Sequence, residues 1–349
     1  MSRLTYEPCL VSILLLAGCG SFVEEDVLPP NSVDSITTET APLSYPMPCD
    51  APVVQQPGGD YAKLSDTGLY CNVVFGALDR NVRFFAPEFG LWADGAEKSR
   101  FMRIPPGAKI DTSNMDGWVF PVGMKVWKEF RVGGKKIETR LLEKRPDGSW
   151  LMIAYQWNDR QTDAFPVPDG VINANGTTHD IPPVAQCVEC HSNVADALNG
   201  VSALMLTRAS FWGVGLSDLI SEHRLTRNPD RPIGFPGDRK TREALAYVYA
   251  NCAHCHRGAN APAGLQWSTS VFDSRPEDTA VYRTAVNQPL TGWLGHGFTS
   301  RVVGGSPSTS AAIERMSTRV PGNQMPELAT KVVDPMGIAI VSRWISQLR

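Results

Sequence analysis

Cys187-Val188-Glu189-Cys190-His191 and Cys252-Ala253-His254-Cys255-His256 repeat one pattern, C-x-x-C-H, and nothing else in the chain limits its fold so strongly. Two residues between the thiols let both sulfurs reach the two vinyl groups of one porphyrin. The adjacent imidazole can then stand over the iron. This spacing is the attachment signature of c-type haem, so each motif predicts one covalently bound haem c. Cys187, Cys190, Cys252 and Cys255 are the expected thioether residues, with His191 and His256 as the expected proximal ligands.

Four cysteines in two C-x-x-C pairs can instead hold zinc tetrahedrally. Zinc ribbons leave roughly 15 to 20 residues between such pairs, whereas about sixty intervene here and a His follows each pair. A thioredoxin-like redox site would need one C-x-x-C pair beside a βαβ pattern and fits less well still.

The opposite axial face of the second haem is readable. Gly322-Asn323-Gln324-Met325-Pro326 forms a polar, Gly- and Pro-rich loop that resembles the distal-ligand loop of class I cytochromes c, which makes Met325 the expected second ligand to that iron. A thioether opposite His raises a haem's reduction potential, as suits an electron carrier. Met316 and Met336 read as packing residues. For the first haem, Met205 and His223 lie between the two motifs. Met205 sits on an apolar run whose default reading is core packing, and His223 follows Glu222 as a surface residue would. His179, from the N-terminal half, is a third candidate. The sixth position of this haem stays open: a five-coordinate iron binds small ligands or peroxide, a six-coordinate one mainly transfers electrons.

Eight cysteines stand in the chain. Arg3 and the apolar stretch Leu10 to Ala17 have the layout of a secretory signal, too short for the roughly 20 residues that span a hydrocarbon core. Leu16-Ala17-Gly18-Cys19 resembles the lipobox of bacterial lipoproteins, so Cys9 leaves with the signal over 1–18 and Cys19 carries the lipid. More than one acyl chain keeps such a protein on its membrane. Gly20 after the lipid site favours the outer membrane, facing the periplasm, by resemblance to other lipoproteins. Cys49 and Cys71 remain, and in an oxidising compartment they are expected to form a disulfide.

Residues 19–48, rich in Pro, Ser, Thr and acids, read as a flexible tether. From 49 to 186, short apolar and aromatic runs between turn residues predict an all-β, sandwich-like domain. Met124 to Val132 and Lys136 to Leu142 flank Gly133-Gly134, a hairpin turn, and Asp147-Gly148 precedes a strand from Trp150 to Trp157. Asn175-Gly176 marks a further turn. Leu91 to Phe101 crowds charges beside aromatics and reads as a turn with a solvated, salt-bridged face, with a partner- or ligand-contacting loop as the alternative. The first haem segment covers 187–241. A cytochrome c-like domain follows over 242–349, with helices at Arg242 to Asn251 and Gly337 to Leu348 expected to cross and pack. The fold expected is thus multidomain, an N-terminal all-β domain followed by a mainly α dihaem cytochrome c region. A net charge of −3 does not suit nucleic acid as a partner. No Ser/His/Asp set, P-loop or H-E-x-x-H motif is present.

The order of motifs resembles a family of bacterial dihaem c-type cytochromes, often lipoproteins, with an N-terminal β-rich domain. The resemblance covers most of the mature chain and rests on Leu64-Ser65-Asp66-Thr67-Gly68-Leu69, Leu91 to Arg100, Phe120-Pro121-Val122-Gly123, Glu138-Thr139-Arg140-Leu141-Leu142, Gln161-Thr162-Asp163-Ala164, Ala250 to His256 and Met325-Pro326-Glu327-Leu328. It implies haem binding and electron transfer between redox donor and acceptor proteins. It assigns no substrate. Two other functions are weighed: a peroxidase-like or other oxidoreductase using the first haem, and an accessory electron-transfer subunit whose β-domain docks on a dehydrogenase.

Overall fold

Alternation of large apolar and charged residues in the N-terminal half builds one long antiparallel meander. The computed structural model describes residues 49–207, 213–259 and 261–349. The signal over 1–18, Cys19 and the tether over 19–48 lie outside the described residues, except that the disulfide partner Cys49 begins them. A short ribbon, β1 (Tyr70–Asn72) with β2 (Ala77–Leu78), stands beside a six-stranded sheet. That sheet runs β3 (Arg83–Phe84), β4 (Glu97–Arg103), β5 (Lys125–Val132), β6 (Lys135–Lys144), β7 (Trp150–Trp157) and β8 (Ala164–Pro166), each strand pairing with the next. The β5–β6 hairpin turns on Gly133 and Gly134, at φ 56° and 77°, a pair of positive angles that residues with a Cβ adopt at a cost.

The expected sandwich is corrected by this topology. The β-rich reading holds, but the second layer is no matching sheet, because strand runs and turn residues in a sequence do not say which strands pair. On one face Phe101, Trp127, Leu141, Tyr155 and Trp157 pack against Tyr61, Leu64, Leu69 and Tyr70. The disulfide Cys49–Cys71, with Cα atoms 6.0 Å apart, ties the start of the described chain to β1. The opposite face is also covered, by α1 (Val184–His191) and the segments around it. Burial on both faces explains why Lys98, Ser99 and Arg100 of β4 are buried although they are polar.

Beyond α1 the chain is helical and looped: α2 (Leu216–Ser221), α3 (Arg239–Asn251), α4 (Ala280–Ala285), α5 (Ala311–Ser317) and α6 (Pro335–Gln347). As the periodicity predicts, α3 and α6 cross. Leu245 and Val248 of the first and Ile340, Val341, Trp344 and Ile345 of the second are buried. At the crossing Gly337 lies under the Tyr247 ring, where a Cβ would come within 2.0 Å of the phenol oxygen. Asp238 and Asp334 cap the two helices, accepting from Thr241 N and Gly337 N at 2.9 Å each. The described residues group as one compact unit. Among the described residues no helix is long and apolar enough to cross a membrane.

Candidate functional site

Each C-x-x-C-H motif opens onto its own cavity. The first motif occupies the last turns of α1, and Cys187, Cys190 and His191 line a space of about 1050 Å³ between α1, the sheet and α3. The second follows the end of α3 as a tight turn, with His256 N donating to Cys252 O at 2.9 Å. Cys252, Cys255 and His256 line a space of about 1250 Å³. Cys190 and His254 line both cavities, so the two share a wall.

The imidazoles are set for metal binding. His191 Nδ1 donates to Ala197 O at 2.5 Å, and His256 Nδ1 donates to Leu265 O at 3.2 Å. A carbonyl can only accept, so in each ring Nδ1 carries the hydrogen and the lone pair of the neutral ring sits on Nε2. Burial lowers the pKa of both, favouring that neutral form. Ligating histidines almost always have their other ring nitrogen held in this way. The Ala197 carbonyl is itself fixed: Asp196 pairs with Lys144 and accepts from Phe120 N at 2.7 Å and Trp150 Nε1 at 3.1 Å. Asp196 and Ala197 both have positive φ, 45° and 55°, a strained turn that these contacts hold in place.

The four thiols are half-buried. Burial raises all four, Cys252 up to about 12 and Cys255 up to about 11. Among the described residues no three His, Cys, Asp or Glu side chains group as metal ligands would, so the two pairs do not form a shared tetrahedral site. A haem iron held by one His and one Met makes no such group.

Met325 lines the second cavity with His256, and the loop that presents it is well anchored. Met325 N donates to Arg315 O at 2.8 Å, and Arg315 Nε donates to Asn323 O at 3.0 Å. The buried Gln324 amide donates to Pro326 O at 3.1 Å and Glu327 O at 3.2 Å. Met316, expected as packing, lines the same cavity, while Met336 is 43% exposed and so corrects its packing assignment. Around the first cavity, Met205 is 2% exposed and is among the lining residues, as is His254. His223 is exposed and does not line it. His179 is engaged elsewhere, its Nε2 donating to Glu138 at 2.8 Å.

The segment Leu91 to Phe101 overturns its expected reading as a solvated face. Glu97 to Phe101 belong to β4, and the residues before it brace the second cavity. Trp92 N donates to the Asn251 side chain at 2.7 Å, one residue before Cys252, and Trp92 Nε1 donates to Val332 O at 2.8 Å. Asp94 accepts from Thr330 Oγ1 at 2.6 Å, Lys331 N at 2.8 Å and Val332 N at 3.1 Å. One loop therefore grips both the end of α3, which leads into the thiols, and the strand of chain that follows Met325. Crowded charges beside aromatics were the only trace of this in the sequence.

Compared with known proteins, the chain matches no family model, no curated protein and no solved structure.

Proposed function

We propose that the chain is a dihaem c-type cytochrome, tethered to a membrane by lipid on Cys19, that passes electrons between donor and acceptor proteins in the periplasm or at the outer membrane. In this reading the helical part over 187–349 is the dihaem region, with thioether links to Cys187 and Cys190 and to Cys252 and Cys255. The observation that carries it is the state of the two histidines: in each cavity the imidazole beside the thiols is buried or half-buried with Nδ1 held by a carbonyl, leaving Nε2 for iron. When bound, each haem iron supplies a one-electron couple. The protein's own residues hold the imidazoles, exclude water with the sheet and with α3, and bring Met325 to the second cavity. The Cys49–Cys71 disulfide supports export, since such bonds persist in oxidising compartments.

The test is production of the full chain alongside a cytochrome c maturation system, followed by intact mass and pyridine haemochrome assay. Two haems per chain are expected, and one in a Cys187→Ser/Cys190→Ser variant. A purified chain without porphyrin adducts, or with zinc in their place, ends the reading.

A further inference from the structure

The sheet face that covers the first cavity carries an unusual row. Arg100 of β4 pairs directly with Lys128 of β5, and Lys128 pairs directly with Arg140 of β6. Side chains directly opposite on neighbouring strands point to the same face, so three cations stand side by side. Like charges in that arrangement repel and destabilise a sheet. All three line the first cavity, which is otherwise mostly apolar, and no carboxylate is among its lining residues. Burial pushes Arg100 down to about 9 and Lys128 well below its ordinary value. Arg140 is compensated from outside the lining by Glu138, with Arg140 Nη2 donating to Glu138 at 3.0 Å. Lys128 has only the Phe130 ring, 4.7 Å from its ammonium, and no ion pair among the described residues. The second cavity differs, with Glu189, Glu327 and Asp334 beside Arg319 in its lining.

Such a row, with Arg100 buried and Lys128 and Arg140 half-buried, leaves the Lys128 ammonium in need of an anion, which a ligand filling the cavity can bring. We infer that Arg100, Lys128 and Arg140 form the cradle for the two propionate carboxylates of the haem held at Cys187 and Cys190, which makes the β-sheet a wall of that haem site. The inference rests on the dihaem reading. It gives the β-rich half a role that needs no docking partner.

The experiment uses the full haem-loaded chain. Lys128→Met keeps an unbranched side chain one heavy atom shorter and removes its charge, and Lys128→Arg keeps the charge. Potentiometry followed by EPR separates the two haems, and haem content is counted on the same samples. A cation beside the propionates favours the reduced iron, so Lys128→Met is expected to lower the first haem's potential by a tenfold change in its reduced-to-oxidised ratio, about 59 mV for one electron. Lys128→Arg restores it, and the second haem does not move. Redox-difference infrared spectra with ¹³C-labelled propionates give a second readout: the carboxylate stretches shift in Lys128→Met, and in wild type they report ion-paired carboxylates. If that wild-type signature is of free, hydrated carboxylates, the cradle is wrong even should Lys128→Met not fold. Two haems per chain with both potentials unchanged in Lys128→Met overturn the cradle and leave the dihaem reading standing. A wild-type chain with no haem overturns both.

Discussion

Replacement of Asp94 tests whether the β-rich half braces the Met325 loop. Its carboxylate accepts three hydrogen bonds, from Thr330 Oγ1, Lys331 N and Val332 N. Hydrogen bonds to a charged group contribute about 1.5 to 3 kcal/mol each when their partners stay dry, which for three would sum to about 4.5 to 9. Here they do not stay dry. Lys331 and Val332 are exposed, so water replaces the carboxylate at both amides, and Thr330 Oγ1 keeps Val332 O at 3.1 Å as a partner. The expected loss is therefore about 2 kcal/mol. Asp94 also sits at φ 52°, which Asn tolerates, Gly prefers and Ala resists by about 1 kcal/mol. Asp94→Gly should then show the hydrogen-bond loss, Asp94→Ala that loss plus the backbone cost, and Asp94→Asn a fraction of it. Because the event is local, amide hydrogen exchange at Lys331 and Val332 is the assay. A 2 kcal/mol loss speeds exchange about thirtyfold where opening is local. Unchanged exchange in Asp94→Gly, or equal effects of Asn and Ala, would refute the brace.

Three further outcomes follow from other parts of the structure. Met325→Leu should leave two haems bound but remove the thioether-to-iron absorption band and lower the potential of the second haem; retention of that band would move the ligand to another sulfur, with Met316 in the same cavity the first to check. Glu138 is buried, which works against its charge, yet Arg140 and His179 outweigh burial and hold its carboxyl below the ordinary 4.5. Its native pKa lies under its unfolded one, so its contribution is fully present above about pH 4.5 and fades as pH falls through the native value. Glu138→Gln should thus be less stable at neutral pH and show a shallower loss on acidification, as read by denaturant midpoints between pH 3 and 7; parallel curves for the two proteins would count against the pairing. Cys49→Ser/Cys71→Ser removes a link across 22 positions and is expected to cost about 3 kcal/mol in the chain-entropy picture, measured by urea unfolding, and a near-zero change would show that the unfolded chain gains little freedom there.

Features carried by local chemistry were legible in the sequence. The hairpin at Gly133-Gly134, the strand from Trp150 to Trp157, the crossing of α3 with α6 and the Cys49–Cys71 bond each depend on turn residues, on a period or on elimination among few cysteines. Features that depend on pairing were not. Arg100, Lys128 and Arg140 lie far apart in the chain and look like scattered charges, and only the register of β4, β5 and β6 makes them neighbours. The same holds for Trp92 and Asp94, whose partners stand about 160 and 240 residues downstream, a separation that no local pattern encodes. Met336 misled for the opposite reason, since an apolar side chain at a helix start carries no mark of which way it faces.

The shared wall between the cavities bears on the proposed passage of electrons. Two motifs about sixty residues apart could have been placed at opposite ends of the fold, as independent modules. Instead Cys190 of the first motif and His254, inside the second, line both spaces. His254 is 8% exposed, and burial first, then the nearby His191 and His256, push it down to about 4, so it stands there as a neutral ring. Its Nδ1 is buried and makes no hydrogen bond among the described residues. In the dihaem reading proposed above, a neutral, aromatic partition between the two cavities adds no fixed charge that would pin an electron on either side. That placement suits a protein through which charge passes from one centre to the other, and it is the sheet, through α1 and the loop at Trp92 and Asp94, that holds the two motifs at this distance.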